Sequence, residues 1–306
     1  MDTRFGELTV ADAHVHFFSH RFFATLAAGL PSPPSEGKLF DVLGQSLPFE
    51  FPDKDPETLA ARWVGELDHH GVSRVVLIAS VPGDEASVTA VARAFPDRVI
   101  PYFLLNPKAP DAVERTERAF REHGMKGLCL FPAMHHFHVA DDTLKPILEE
   151  VAAHRGIVFV HCGRLVIGVR DKLGLPSPFD MSFARPRGLE DVAPAFGAIR
   201  FVVPHFGCDT FEEFLDVAAT CPNIYTDTSS SNAWMDSMPE PLTLPRVFER
   251  TLEVMGAERI LYGSDSSFFP RGWNKDHFQT QLEAFDVTPE QAAAIFGGNL
   301  LRLAAG

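Results

Sequence analysis

The sequence predicts a (β/α)8 TIM barrel, a single domain over residues 1–306, on three observations. Eight short aliphatic or β-branched runs recur along the chain: LTVADAHV (8–15), RVVLIAS (74–80), VIPYFLL (99–105), GLCLF (127–131), IVFVH (157–161), IRFVVPH (199–205), NIYTDT (223–228) and RILYGSD (259–265). They are nearly continuous rather than alternating, the pattern of parallel strands covered on both faces. Between them lie amphipathic segments such as PETLAARWVGELDHHG, DAVERTERAFREHG and LKPILEEVAAHRG, several ending in a glycine that stops a helix before the next strand. Finally, the place after the first run, where an open doubly wound sheet carries a glycine-rich phosphate turn, holds histidines instead. A barrel of this length is an ordinary single unit. Two long connections, residues 18–56 and 164–195, follow the first and fifth runs. Both start at strand C-termini, where a barrel builds its active site, so they are expected to cap a pocket as long loops.

Composition narrows the function classes. Apolar residues are 45% and charged residues 22% of the chain, as in ordinary globular proteins. Lysine and arginine number 27 against 41 acids, a net charge of −14, and no basic stripe offsets it, which argues against a nucleic-acid partner. The four cysteines, Cys129, Cys162, Cys208 and Cys221, are scattered and fit free thiols in a reducing compartment. The opening MDTRFGELTV lacks the features of a secretory signal, and no apolar stretch approaches the roughly 18 residues of a membrane span. A cytoplasmic protein with no membrane partner is expected. A homo-oligomer is compatible with the sequence, which carries no interface signal.

The chemistry-bearing residues sit at the ends of the predicted strands. In VADAHVHFF (10–18), His14 and His16 point the same way from one strand, about 7 Å apart along the backbone. Alone, such a pair equally fits two solvated residues on an exposed face. Three further runs stop on a ligand-type residue: VFVH at His161, FVVPH at His205 and LYGSD at Asp265. Strand C-termini of a barrel share one mouth, so these side chains converge there. Three imidazoles and a carboxylate suit Zn²⁺ or a similar ion with positions left for water or substrate. Asp227, ending the seventh run, either borders that cavity or caps the following segment.

The ordered set AHVHFF, VHCG, PHFG and YGSD, with the closing IFGGNLLRL, resembles the amidohydrolase superfamily over residues 10–304. It is most similar to the amidohydrolase-related branch of single-metal hydrolases and decarboxylases. The resemblance implies that His14, His16, His161 and Asp265 bind one divalent metal ion, zinc first, with manganese or iron as alternatives. It implies catalytic roles for Asp265, as proton shuttle, and for His205, which steers substrate or polarises water. Two-metal relatives carry a lysine or glutamate at the end of strand 4. Here that place reads GLCLFP, and Lys126 precedes the strand, so one ion is expected. The implied activity is metal-dependent hydrolysis of an ester, lactone or amide in a small carboxylated or aromatic substrate. The alternative is non-oxidative decarboxylation of a carboxylated aromatic or muconate-like acid.

Mouth loops supply substrate candidates. Arginines 164, 170, 185, 187 and 271 follow the fifth and eighth strands, and Arg164 and Arg271 are the best placed to grip a substrate carboxylate. For any one of them the plainer role is a surface ion pair. Phe17, Phe18, Phe22, Phe23, Phe268 and Phe269 offer an aromatic wall, with Phe17 assigned to substrate. In AMHHFHVADD (133–142), His138 is assigned to substrate contact; His135 and His136 would hold an ion only if a rigid element fixed them. His69, His70, His123 and His154 end helices and are structural. Cys162 is expected to face away from the cavity and not to act as a nucleophile.

Overall fold

Strand β1 (Val10–Phe17) starts a run of parallel strands that continues through β2 (Val72–Ala79), β3 (Val99–Leu104), β4 (Gly127–Leu130), β5 (Ile157–Val160), β6 (Arg200–Val203) and β7 (Ile224–Asp227). The computed structural model describes residues 1–230, 233–240, 242–267 and 272–305. The eighth predicted strand is two pieces, β8 (Ile260–Leu261) and β9 (Ser266–Ser267), and the sheet order is β8-β7-β6-β5-β4-β3-β2-β1-β9. β8 pairs with β7 and β9 pairs with β1, so residues 260–267 bridge the two edges. Backbone hydrogen bonds carry the closure across the break: the N–H of Ala13 donates to Tyr262 O (2.8 Å) and that of Asp265 to His14 O (2.9 Å). The fold is the predicted TIM barrel. Among the described residues no helix is long and apolar enough to cross a membrane.

Period-two alternation divides the core. Val10, Val15 and Phe17 of β1, with Val75 and Leu77 of β2, face outward and pack on helix residues such as Leu59, Trp63 and Leu67. Ala11, Ala13, Val76, Ile78, Tyr102, Cys129 and Phe159 fill the interior. The helix Pro56–His70 shows why the connecting segments fold as they do. The Asp55 carboxylate accepts from the N–H groups of Glu57 and Thr58, Pro56 occupies the first turn, and Gly71 ends it at φ 69°.

The two long connections form a third apolar cluster between them. Phe22, Phe23, Leu26, Leu39, Leu43 and Leu47 from the first pack with Val81 and with Leu175 of the second. Phe18 and Phe22 stack with centroids 4.0 Å apart. These loops therefore carry their own core at the strand C-terminal end, which fits the expected cap.

Two features pin β1. Asp12 is fully buried and accepts from the N–H of His14 (2.9 Å), the N–H of Ser264 (3.0 Å) and Nε1 of Trp273 (2.9 Å). Burial pushes its carboxyl up to about 6 against these donors. Below it, the π-helical turn Ala294–Gly298 lies so close to β1 that a Cβ on Gly297 would run into the carbonyl oxygen of Thr9. Gly297→Ala is expected to lower stability by roughly 3 kcal/mol, because the obstacle is strand backbone that cannot step aside. Urea denaturation of the two proteins measures this, and an unchanged midpoint would refute the close approach.

Candidate metal centre

The C-terminal ends of β1, β5 and β6 converge with the β8–β9 break, and the end of β7, which the sequence left open, joins them. Three atoms meet most closely. His14 Nε2 lies 3.3 Å from His16 Nε2, and Asp265 Oδ1 lies 3.6 Å from the former and 3.3 Å from the latter. Ligands about 2.05 Å from a tetrahedral ion stand about 3.3 Å apart, so this triangle has the dimensions of one face of a metal site. His14, His16 and Asp265 can hold an ion together.

A hydrogen-bond network fixes which nitrogens face that point. Ser80 Oγ donates to Ile78 O (3.0 Å), so it must accept from His16 Nδ1–H (2.9 Å), which leaves His16 Nε2 to face Asp265. Ser229 Oγ donates to Asp227 Oδ1 and therefore accepts from His205 Nδ1–H (2.8 Å). His14 Nδ1–H is shared between Asp227 Oδ2 (3.0 Å) and Ser229 Oγ (2.9 Å). In each case the hydrogen bond is made by Nδ1, so Nε2 is the nitrogen left to face an ion, the orientation a metal ligand requires. His14, His205 and Asp227 also form a ligand-type cluster, but the Ser229 hydroxyl already sits in hydrogen-bond range of all three and fills that centre.

His161 lies beside the group rather than within the triangle. Its ring centroid is 5.2 Å from that of His205, it stacks on Phe131 at 5.3 Å, and among the described residues its buried Nδ1 has no hydrogen-bond partner. A buried polar atom left unpaired next to candidate ligands is compatible with a coordinating role. Burial holds His161 and His205 below the ordinary imidazole range, hence neutral. Burial also opposes charge on Asp265, but the hydrogen bond with His16 and the proximity of His14 outweigh it and hold the carboxyl well below its usual range. Asp265 (φ 54°) and His205 (φ 56°) both adopt the left-handed backbone region, sparsely used by residues other than glycine and enriched at functional sites.

Other assignments fare differently. Phe17 does not reach the cavity: it is fully buried on the outer face of β1, among the residues that meet the helices. The alternation that joins His14 to His16 puts Phe18 on their side, its ring 5.9 Å from that of His16. Arg164 is exposed just beyond β5, its backbone N–H held by Asp209 (2.7 Å). Arg185 pairs with Glu213, and Arg187 with Glu190 (2.6 Å), the plain surface role. Arg271, Phe268 and Phe269 lie outside the described residues. His138 is exposed, its ring 4.7 Å from Phe183 of the connection after β5. Cys162 is buried on the helix-facing side, its thiol pushed up by burial, and is not a nucleophile. Sequence reasoning missed Ser80 and Ser229. Their only signal is a position one or two residues past a strand end.

The amidohydrolase family profile matches residues 11–303. The chain belongs to the amidohydrolase family. None of the curated proteins matches it in sequence. Solved structures that resemble this amidohydrolase include 5-carboxyvanillate decarboxylase from Novosphingobium aromaticivorans, complexed with manganese and 4-hydroxy-3-methoxy-5-nitrobenzoic acid (14% identity, TM-score 0.66, 99% of this chain and 97% of that one). A second is 2,6-dihydroxybenzoate decarboxylase from Rhizobium (15% identity, TM-score 0.62, 98% and 99%). A third is a probable 2-pyrone-4,6-dicarboxylic acid hydrolase from Acinetobacter baumannii with citric acid bound (13% identity, TM-score 0.59, 98% and 100%). At these identities the likeness is one of fold.

Ser80→Ala and Asp227→Asn keep every candidate ligand but remove hydrogen bonds that orient His16 and His14. Each is expected to weaken divalent-metal binding 10- to 100-fold, and His14→Ala to abolish it. Competition with a chromophoric chelator measures all three. Wild-type affinity in the first two would sink the orienting role.

Proposed function

We propose that the protein is a mononuclear, divalent-metal-dependent enzyme that removes carbon dioxide from a carboxylated aromatic acid. The observation that carries this reading is the single triangle of His14 Nε2, His16 Nε2 and Asp265 Oδ1, with the other ring nitrogens tied back. A bound ion, zinc by preference or else manganese or iron, would be held by His14, His16, His161 and Asp265, and would supply the positive charge that grips a substrate carboxylate or adjacent hydroxyl. Aromatic rings surround the place: Phe159 meets His14 edge-on at 4.9 Å, Phe131 stacks on His161, and Phe18 stands beside His16. A planar aromatic acid suits such walls. A structurally similar decarboxylase complexed with manganese and 4-hydroxy-3-methoxy-5-nitrobenzoic acid supports this reading.

In decarboxylation a proton adds to the ring carbon bearing the carboxylate, and the carbon–carbon electron pair returns to the ring as carbon dioxide leaves. Asp265 is the residue placed to carry that proton. Its carboxylate is ionised in the free protein, so it first takes a proton from an acidic substrate hydroxyl or from water, then passes it to carbon. His205, held by Ser229, is the polar neighbour that positions the substrate. Arg164, Arg271 and His138 are proposed to meet a second substrate charge at the rim, and Phe18 replaces Phe17 in the wall. Asp265→Asn is expected to reduce kcat by about 10²- to 10⁴-fold at saturating metal.

A second reading, hydrolysis of an ester, lactone or amide in a small carboxylated substrate, is favoured by the same ionised Asp265, which is the state that accepts a proton from an attacking water. Product analysis on a panel of hydroxybenzoic acids and lactone dicarboxylates separates the two. Release of carbon dioxide supports the first reading. Incorporation of oxygen-18 from water without carbon loss replaces it with the second.

A further inference from the structure

At the opposite end of the barrel from the candidate metal centre, a cavity of about 430 Å³ opens where β5, β6 and β7 begin. Three arginines line it, each from a different element: Arg155 just before β5, Arg200 at the first position of β6, and Arg302 on the final helix (Asn299–Ala305 among the described residues). Glu258, Tyr225 and Asn299 share the lining. Nine other arginines, from Arg62 to Arg250, form ion pairs with carboxylates. The three here form none among the described residues. Arg200 donates only to the carbonyl of Ala198 (3.0 Å), and Arg302 to the side-chain oxygen of Asn299. Asn299 is itself buried and locked, its amide donating to Ala257 O (2.8 Å) and Ile260 O (2.7 Å), so Arg302 is braced rather than loose. Arg155 holds the left-handed conformation (φ 51°) that usually falls to glycine after a helix.

Three arginines and one acidic residue, Glu258, line the cavity, a formal charge of about +2 in a chain whose net charge is −14. Uncompensated like charges around one concavity repel unless something negative occupies it, and guanidinium forks match carboxylate and phosphate oxygens. The volume falls in the range of small-molecule sites. We propose that this cavity binds a small dianion of the carboxylate or phosphate class, and that its occupancy ties the C-terminal helix to the barrel floor. The site is separate from the proposed reaction and does not depend on it.

The test titrates inorganic phosphate and, separately, succinate into the full-length protein at ionic strength held constant with sodium chloride, and follows the heat of binding and hydrogen exchange of residues 299–305. Saturable binding of at least one dianion, with slowed exchange in that segment, is expected; the tighter of the two identifies phosphate or carboxylate as the source. Arg155→Gln and Arg302→Gln, both at exposed positions, should each weaken it roughly tenfold or more. His14→Ala, at the other end, should retain it. Three results would overturn the proposal: no saturable binding above the chloride control, full binding in the Arg155→Gln, Arg302→Gln double variant, or loss of binding in His14→Ala, which would place the anion at the metal rim. Circular dichroism melts of the ligand-free variants show that they are folded.

Discussion

Asp227 is the charge on which the placement of His14 and His205 rests. Its two oxygens take the Nδ1–H of His14 (3.0 Å), the backbone N–H groups of His205 (3.1 Å) and Ser229 (3.0 Å), and the Ser229 hydroxyl. A fully buried carboxylate without such donors would be strongly disfavoured. Here burial raises the carboxyl, but the neighbouring His14 and these hydrogen bonds more than offset it, and it falls from 3.8 to about 2. One side chain at the end of β7 thereby sets the ring of β1, the backbone of His205 after β6, and, through Ser229, the ring of His205. The interaction works only because a parallel barrel brings strands distant in sequence to one rim.

That dependence explains what could be read in advance. The barrel was legible because each strand is covered on both faces, which leaves an unbroken apolar run ending abruptly on a polar residue. The candidate ligands stood out because histidine or aspartate at those endings is costly to bury without a purpose. Asp227 read two ways from sequence and turns out to have both sides: it borders the cavity and also accepts from the N–H of Ser229 two residues on. Ser80 and Ser229 were invisible, since serine after a strand is ordinary and its value here lies in hydrogen bonds to histidines far away in sequence. Phe17 against Phe18 is a different error. The period-two rule that paired His14 with His16 already assigned Phe18 to the cavity, and only the alternation, not the composition, separates the two phenylalanines.

The eighth strand shows a constraint that a linear pattern does not reveal. RILYGSD reads as one strand, yet pairing with β7 stops at Leu261 and pairing with β1 resumes at Ser266. Between them Gly263 passes so close to the side chains of His14 and Ser229 that a Cβ would lie 3.0–3.1 Å from theirs. The break lets Asp265 leave the ladder with its carboxylate turned toward His14 and His16 while its N–H still bonds to His14 O. Barrel closure and ligand placement are thus the same local event, and Asp12 secures it from beneath by holding the backbones of His14 and Ser264 together.

The left-handed backbone at Asp265 and His205 then acquires a physical reading. Non-glycine residues in that region cost on the order of 1 kcal/mol each, and persist where surrounding contacts leave no alternative. Both residues are over-determined in this way: Asp265 by its bond to β1, and His205 by Asp227 on its backbone and Ser229 on its ring. Relaxing Asp265 would move its carboxylate out of a cluster whose members stand 3.3–3.6 Å apart, the separation that a small divalent ion demands. A site built for structural polarity alone would tolerate an ångström of slack. This one is held from three sides, the preorganisation that a metal-binding or reacting group would need.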